Sequence, residues 1–362
     1  MGGLFLISSA IFHSLGINQN HQYNWDSNLS WIGLANWLPF FLCFYGFQIF
    51  LNTPNDRKAA SLTFLYGTFP VIISGLGQAF FNWDGPLKTL GGLIIWYQRP
   101  IEGITELTGL FNNPNYAGLW LNLVWPFCLG CIIINKERTI GKVSSLFFAL
   151  GISTTTVLTN SRSAWVGLCM AIFLTFRKRL INIIPILLFG FFFILITSFL
   201  PLLNNLYESL FKIIIPNESW ISVDQNQITR IDIWVSALKN IISNPLFGSG
   251  SGSFPQIFIS ETAIFKGHPH NLFLEIILSY GIPGAIFIIT PIVMISFLAF
   301  KKTILNYNPE ISNSIFDKAW IISLIIFLAS QMVDVQYFDG RISLFFWILL
   351  AGSRNIIKKD LI

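Results

Sequence analysis

Residues 271–300 read NLFLEIILSYGIPGAIFIITPIVMISFLAF. Glu275 is the one charged position in the run. A bilayer span needs roughly 20 consecutive apolar residues, and this run is longer than that. Gly281, Pro283 and Gly284 interrupt it. The interruption predicts a half-helix followed by a full span. Such a break is tolerated within a membrane only where protein or a cavity covers the freed backbone groups.

The rest of the chain has the same character. Of its 362 residues, 53% are hydrophobic and only 11% charged, against about 25% charged in an average soluble domain. Mean hydropathy is +0.64. An ordinary soluble enzyme, a disordered chain and a nucleic-acid binder are excluded. Further spans are expected at 32–52, 61–81, 115–135, 143–160, 180–202 and 318–335. Shorter ones fall at 163–177 and 341–353, and a further short one at 3–16. The expected fold is an all-α polytopic membrane protein of about ten transmembrane helices.

The basic residues orient it. With the N-terminus inside, the inner loops hold Arg57 and Lys58; Lys136, Arg138 and Lys142; Arg177, Lys178 and Arg179; Lys301, Lys302 and Lys318; and Arg354, Lys358 and Lys359. Every short inner loop thus carries at least a pair of positive charges, as the positive-inside rule requires. Segments 82–114 and 203–269 then face outward. The second is a large, partly helical periplasmic loop. Within it, 226–243 has helical spacing, with Ile228, Ile231, Trp234, Val235 and Leu238 on one face. NPLFGSGSGSF, residues 244–254, stops that helix.

Few residues on the outer side carry chemistry. Arg162, in TNSRSAWVG, sits at the outer end of a helical hairpin; it either snorkels to headgroups or serves an anion. Arg230 opens the loop helix, as a solvated arginine or as a second cation. Two guanidinium groups together offer forked donors for a phosphate or pyrophosphate. His268 and His270, in GHPHNLFLE, stand where the loop re-enters the membrane. A histidine there can act as a general base, rest at the headgroup boundary or ligate a metal. No third metal ligand is near them in the sequence, so no metal site is expected. Gly248, Gly250 and Gly252 lack the Lys-Ser/Thr of a nucleotide loop and read as a backbone turn. Cys128 and Cys131 have redox spacing but lie in an apolar helix, as do Cys43 and Cys169. Glu102 and Glu106 read as a solvated pair, and Asp334 as a lone acid inside a span.

The ordered motifs resemble the O-antigen ligase and O-antigen polymerase superfamily of bacterial membrane glycan transferases. They are Gly109-Leu-Phe-Asn-Asn-Pro114-Asn115-Tyr-Ala117-Gly118, Thr159-Asn-Ser161-Arg162-Ser163-Ala-Trp165, Arg230-Ile-Asp-Ile-Trp234, Asn244-Pro245-Leu-Phe-Gly248-Ser-Gly250, His270-Asn271-Leu-Phe-Leu-Glu275 and Gly281-Ile-Pro-Gly284. The likeness implies N-terminal helices and a first outer loop over 1–104. It implies a ligase-like core over 105–300, including loop 203–269, and C-terminal helices over 301–362.

The resemblance further implies a metal-independent, inverting transfer at the outer face of the bacterial inner membrane. The donor is a glycan on undecaprenyl pyrophosphate. The acceptor is a hydroxyl of lipid A core or of another carrier-linked repeat, in lipopolysaccharide or other surface polysaccharide biosynthesis. No cofactor or nucleic acid takes part. By carry-over, Arg162 and Arg230 bind the pyrophosphate and stabilise its charge, and His270 activates the acceptor. Asn115, Trp234 and Asn271 join the arginines in holding substrate. His270 is preferred to His268 because Asn271 follows it. The three catalytic side chains are expected within about 10 Å of one another. Two departures stand out. Many relatives have more spans, and an arginine often shortly precedes the Gly109 motif, where Thr108 stands here. A second reading is a protein of solute transport, such as inorganic carbon uptake, for which the broken helix is suited.

Overall fold

The computed structural model describes residues 1–16, 25–96, 106–111, 113–135, 139–180, 229–305 and 314–358. These are mostly helical. The helices are α1 (Gly2–Ser14), α2 (Leu29–Leu34), α3 (Leu38–Phe50), α4 (Pro54–Gly67), α5 (Phe69–Phe81), α6 (Pro114–Ile134), α7 (Thr139–Leu158), α8 (Arg162–Leu180), α9 (Arg230–Ser243), α10 (Phe254–Thr262), α11 (Leu272–Phe300), α12 (Ser314–Ser330) and α13 (Gly340–Lys358). Among the described residues, five helical stretches are long and apolar enough to cross a membrane: Leu29–Phe50, Pro54–Phe81, Pro114–Ile134, Thr139–Leu158 and Leu272–Leu305. Gly2–Ser14 and Arg162–Phe176 are shorter apolar helices. The expected span at 180–202 lies outside the described residues but for its first position.

The chain divides into two units, one of residues 1–175 with 234–362, the other of residues 176–233. In the first, α6 and α12 form the centre. Leu121, Leu123, Val124 and Phe127 of α6 are fully buried, as are Trp320, Ile321, Leu324 and Phe327 of α12. The Ser323 hydroxyl of α12 donates to the Leu123 carbonyl at 2.6 Å. Peripheral helices instead leave large apolar side chains uncovered: Leu42 and Ile49 on α3, Phe147 on α7, Met294 and Phe297 on α11. A helix apolar all round, with its outer face bare, is the pattern of a membrane span.

Helix ends assigned inward by the charge pattern meet one another. Arg57 is fully buried. It donates through Nε and Nη2 to the two Asp317 oxygens at 2.6 and 2.8 Å, and through Nη1 to the carbonyls of Leu51 and Asn52. Lys318 donates to the Thr175 carbonyl at 2.6 Å. These bonds lock the N-termini of α4 and α12 to each other and α12 to α8.

The break in the 271–300 run is real. Gly281 has φ +75° and ψ 173° and interrupts α11. Residues 245–249 fill the gap. The Ser249 N–H donates to the Leu278 carbonyl at 2.7 Å, and the Ile282 N–H donates to the Pro245 carbonyl at 2.8 Å. The glycine turn therefore satisfies the backbone groups that the break frees. Its partner in this is α1. Ser9 and His13 of α1 reach the Phe247 carbonyl, and the Phe12 ring stacks on Phe247 with centroids 4.4 Å apart. The short expected span at 3–16 thus buttresses the loop.

Close packing makes Gly281 irreplaceable. A side chain there would collide with the Leu246 carbonyl. Its backbone, at a φ/ψ essentially confined to glycine, adds about 1–3 kcal/mol, and overpacking about 1–3 kcal/mol. Gly281→Ala is expected to lower the melting temperature of the detergent-solubilised protein sharply; a wild-type melting curve would refute the role assigned to this turn.

The outer loops differ in part from expectation. Within 82–114, Leu87–Thr89 and Ile94–Trp96 pair as an antiparallel two-stranded hairpin, β1 and β2. The fold is therefore not purely helical, because the apolar, β-branched Ile94-Ile95 pairs back across the turn at Gly91 and Gly92. In the large loop, helix α9 starts at Arg230; positions 226–228 of the expected helix lie outside the described residues. A capping box sets the start: the Thr229 N–H donates to Asp232 and the Asp232 N–H to the Thr229 hydroxyl. Helix α10 folds against α9, where Glu261 accepts from Ser236 and Asn240.

Candidate functional site

Three motif-bearing helices begin at the same end of the first unit. Helix α6 starts at the Asn113-Pro114 step, where the Asn113 side chain accepts from the Asn115 N–H at 2.8 Å and proline occupies the first helical position. The segment before it is seated by buried Gln78, whose Oε1 accepts from the N–H groups of Thr108 and Gly109 at 3.0 Å each. Helix α8 starts at Arg162, next to buried Ser161. Helix α11 starts after Asn271, whose side chain accepts from the N–H groups of Phe273 and Leu274.

A chain of hydrogen bonds joins these starts. Ser161 lies 3.1 Å from the Ser163 hydroxyl and donates to Asn115 Oδ1 at 2.7 Å. Asn115 Nδ2 donates to Asp334 Oδ2 at 3.1 Å. Asp334 Oδ1 faces His270 Nδ1 at 3.1 Å and accepts from the Val335 N–H at 2.9 Å. A carboxylate only accepts, so Nδ1 carries a proton; in the neutral ring Nε2 then keeps its lone pair. His270 itself adopts φ +50°, a left-handed conformation uncommon outside glycine. Its N–H donates to His268 Nδ1 at 3.2 Å. A buried acid thus orients the imidazole, an arrangement that can serve general-base chemistry.

Electrostatics support that division. Burial pushes the Asp334 carboxyl up, but the His270 hydrogen bond, the Val335 N–H and the two nearby histidines outweigh it. Asp334 is held below the ordinary carboxylate range. Burial and the neighbouring His270 push His268 down to about 4, against an opposing pull from Asp334. His268 is therefore neutral at neutral pH, and Asp334 is ionised. Asp334 is buried, whereas the His270 side chain is 31% exposed and open to a reactant.

Asp334 is where the fold departs most from the sequence reading. Helix α12 ends at Ser330, so Asp334 lies in the turn beyond it rather than inside a span. The reason is local. The Gln331 carbonyl accepts from the Leu272 N–H of α11, and the Gln331 side chain accepts from the N–H groups of Gln336 and Tyr337. The chain is turned back before the helix can continue. The sequence also offered the two histidines no third ligand. The fold supplies one, because one donor atom each of His268, His270 and Asp334 lie within 4.8 Å of one another.

Other expected residues have defined places. Arg162 is exposed and directly follows the Ser161 that joins the chain of bonds. Arg230, also exposed, is the first residue of α9 and belongs to the unit of residues 176–233. Asn115 is engaged with Ser161 and Asp334, and Asn271 caps α11 while donating to the Met332 carbonyl. Trp234 is half-buried on α9. The cysteines are free thiols, Cys128 and Cys131 buried in α6. Glu102 lies outside the described residues; Glu106 is exposed.

Arg341 was not singled out by sequence. It donates to the Leu110 carbonyl at 2.8 Å, lies 4.0 Å over the Phe111 ring and pairs with Asp339. An arginine therefore does reach the Gly109 motif, from α13 rather than from the preceding residues. Its sequence signal was only a lone outer-face charge.

Residues 146–289 match the family model described as O-antigen ligase. That stretch contains Arg162, Arg230, His268 and His270. No curated protein matches the chain.

Proposed function

From the premise that this chain is a membrane glycan-processing protein of the O-antigen ligase family, we propose that it transfers a glycan from undecaprenyl pyrophosphate to an acceptor hydroxyl. The observation that carries the proposal is the His270–Asp334 pair, tied through Asn115 to the start of the Arg162 helix.

The chemistry follows from those groups. His270 Nε2 takes the proton of the acceptor hydroxyl as its oxygen bonds the anomeric carbon. The bond from that carbon to the pyrophosphate oxygen breaks, and the pyrophosphate leaves with the electron pair. Arg162 and Arg230 receive the leaving charge with forked donors. A single displacement inverts the anomeric configuration. No step asks for a metal or nucleotide sugar. The acceptor is lipid A core for a ligase, or another carrier-linked repeat for a polymerase. The site faces the periplasm, as the charge pattern of the inner loops favours. The family match lends nothing to a solute-transport reading.

Glycan profiling tests the proposal. A deletion strain is expected to lose long surface polysaccharide and to accumulate carrier-linked glycan, as long chains for a ligase or single repeats for a polymerase. Arg162→Ala is expected to leave that phenotype unrelieved while still inserting in the membrane. Arg230→Lys keeps the charge but loses the fork, so it should be severely impaired too. A normal glycan profile with either variant would sink the pyrophosphate roles.

A further inference from the structure

Catalysis as proposed needs no metal, yet the base sits inside a set of metal donors. Among the described residues, His268, His270 and Asp334 each offer one ligand atom, all within 4.8 Å of one another. His270 Nδ1 and Asp334 Oδ1 are already 3.1 Å apart. Two ligands of a tetrahedral zinc ion, each about 2.0–2.1 Å from it, stand roughly 3.4 Å apart. The His268 and His270 rings are adjacent, centroids 4.6 Å apart, at 72° to one another. Asn115 and the Val335 N–H hold the carboxylate in place, the outer-shell support that metal sites use. Both histidines are partly exposed, so an ion can reach them. Two imidazoles and a carboxylate suit zinc, with a fourth position left open to water.

We propose that His268, His270 and Asp334 form a zinc site whose occupation switches the transferase off. The inhibition follows from tautomer chemistry. If zinc takes His270 through Nδ1, the ring proton must move to Nε2, which becomes a donor. If zinc takes Nε2, the lone pair is used directly. Either way His270 can no longer accept the acceptor's proton, and Asp334 is drawn from the imidazole to the ion. Zinc binding stands on the geometry alone; the inhibition rests on His270 being the base, as proposed above.

Zinc alone is the probe. Detergent-purified protein stripped with chelator is dialysed against zinc, and bound metal is measured. A single zinc per chain is expected, lost in His268→Asn and in Asp334→Ala. Asparagine at 268 keeps an oxygen to accept the His270 N–H, so this variant separates ligation from folding. Failure of wild type to bind, or equal binding by His268→Asn, overturns the site. Transfer is then measured with zinc and with chelator, and each protein is scored against itself. The wild-type ratio is expected to fall by about 10²-fold or more, the usual worth of a positioned base, while the His268→Asn ratio stays near unity. Full or faster transfer by zinc-loaded wild type overturns the inhibition. If wild type transfers nothing either under chelator or with zinc, the transferase reading fails, and the dialysis still decides the zinc site.

Discussion

His270→Ala is expected to lower glycan transfer by about 10²–10⁴-fold, the range that a positioned general base supplies, while membrane insertion and melting temperature stay near wild type. The imidazole is 31% exposed, so its removal opens little buried space. Asp334→Asn should cost about 10²-fold or more, because an amide can hold the imidazole in the wrong tautomer. Asp334→Glu should restore part of the rate, since it returns an acceptor to Nδ1. A purely structural role for Asp334 would lower kcat and protein yield together. A positioning role lowers kcat and changes the pH–rate profile at constant yield. Wild-type transfer by His270→Ala would remove it as the base.

The largest loss of stability is expected at the opposite end of the helices. Asp317→Ala strands the Arg57 guanidinium, which is fully buried and bonded in fork-to-fork fashion to that carboxylate. Breaking a buried pair by removing one partner costs about 3–5 kcal/mol. Little folded protein should be recovered from membranes, and what remains should melt far below wild type. The double variant Arg57→Met with Asp317→Leu should regain much of the loss, because replacing both partners leaves no buried charge unpaired. If Asp317→Ala alone melts like wild type, the pair does not hold α4 to α12.

Much of this was legible in the sequence. The apolar runs gave the membrane class, and Gly281-Ile-Pro-Gly284 announced the break in α11. The Asn-Pro and Asn-Leu steps marked the starts of α6 and α11, because capping is local chemistry. The motif order pointed to the O-antigen ligase likeness that residues 146–289 also show. What stayed hidden depends on contacts between distant residues. Asp334 is 64 positions from His270 and 219 from Asn115, and nothing around it in the sequence says that α12 stops short. The buttressing by α1 and the reach of Arg341 to Leu110 are likewise long-range. The hairpin at 87–96 was missed because one short apolar stretch does not distinguish strand from loop.

The Asn115–Asp334 hydrogen bond also sets a timetable. The ribosome adds about 5–20 residues per second, so the carboxylate emerges roughly 10–40 s after the asparagine it joins. Until then α6, α8 and the first half of α11 can be inserted while Asn115 and His270 still lack the carboxylate they share. In a nascent or C-terminally truncated chain the starts of α6, α8 and α11 are thus present before the carboxylate that ties them together.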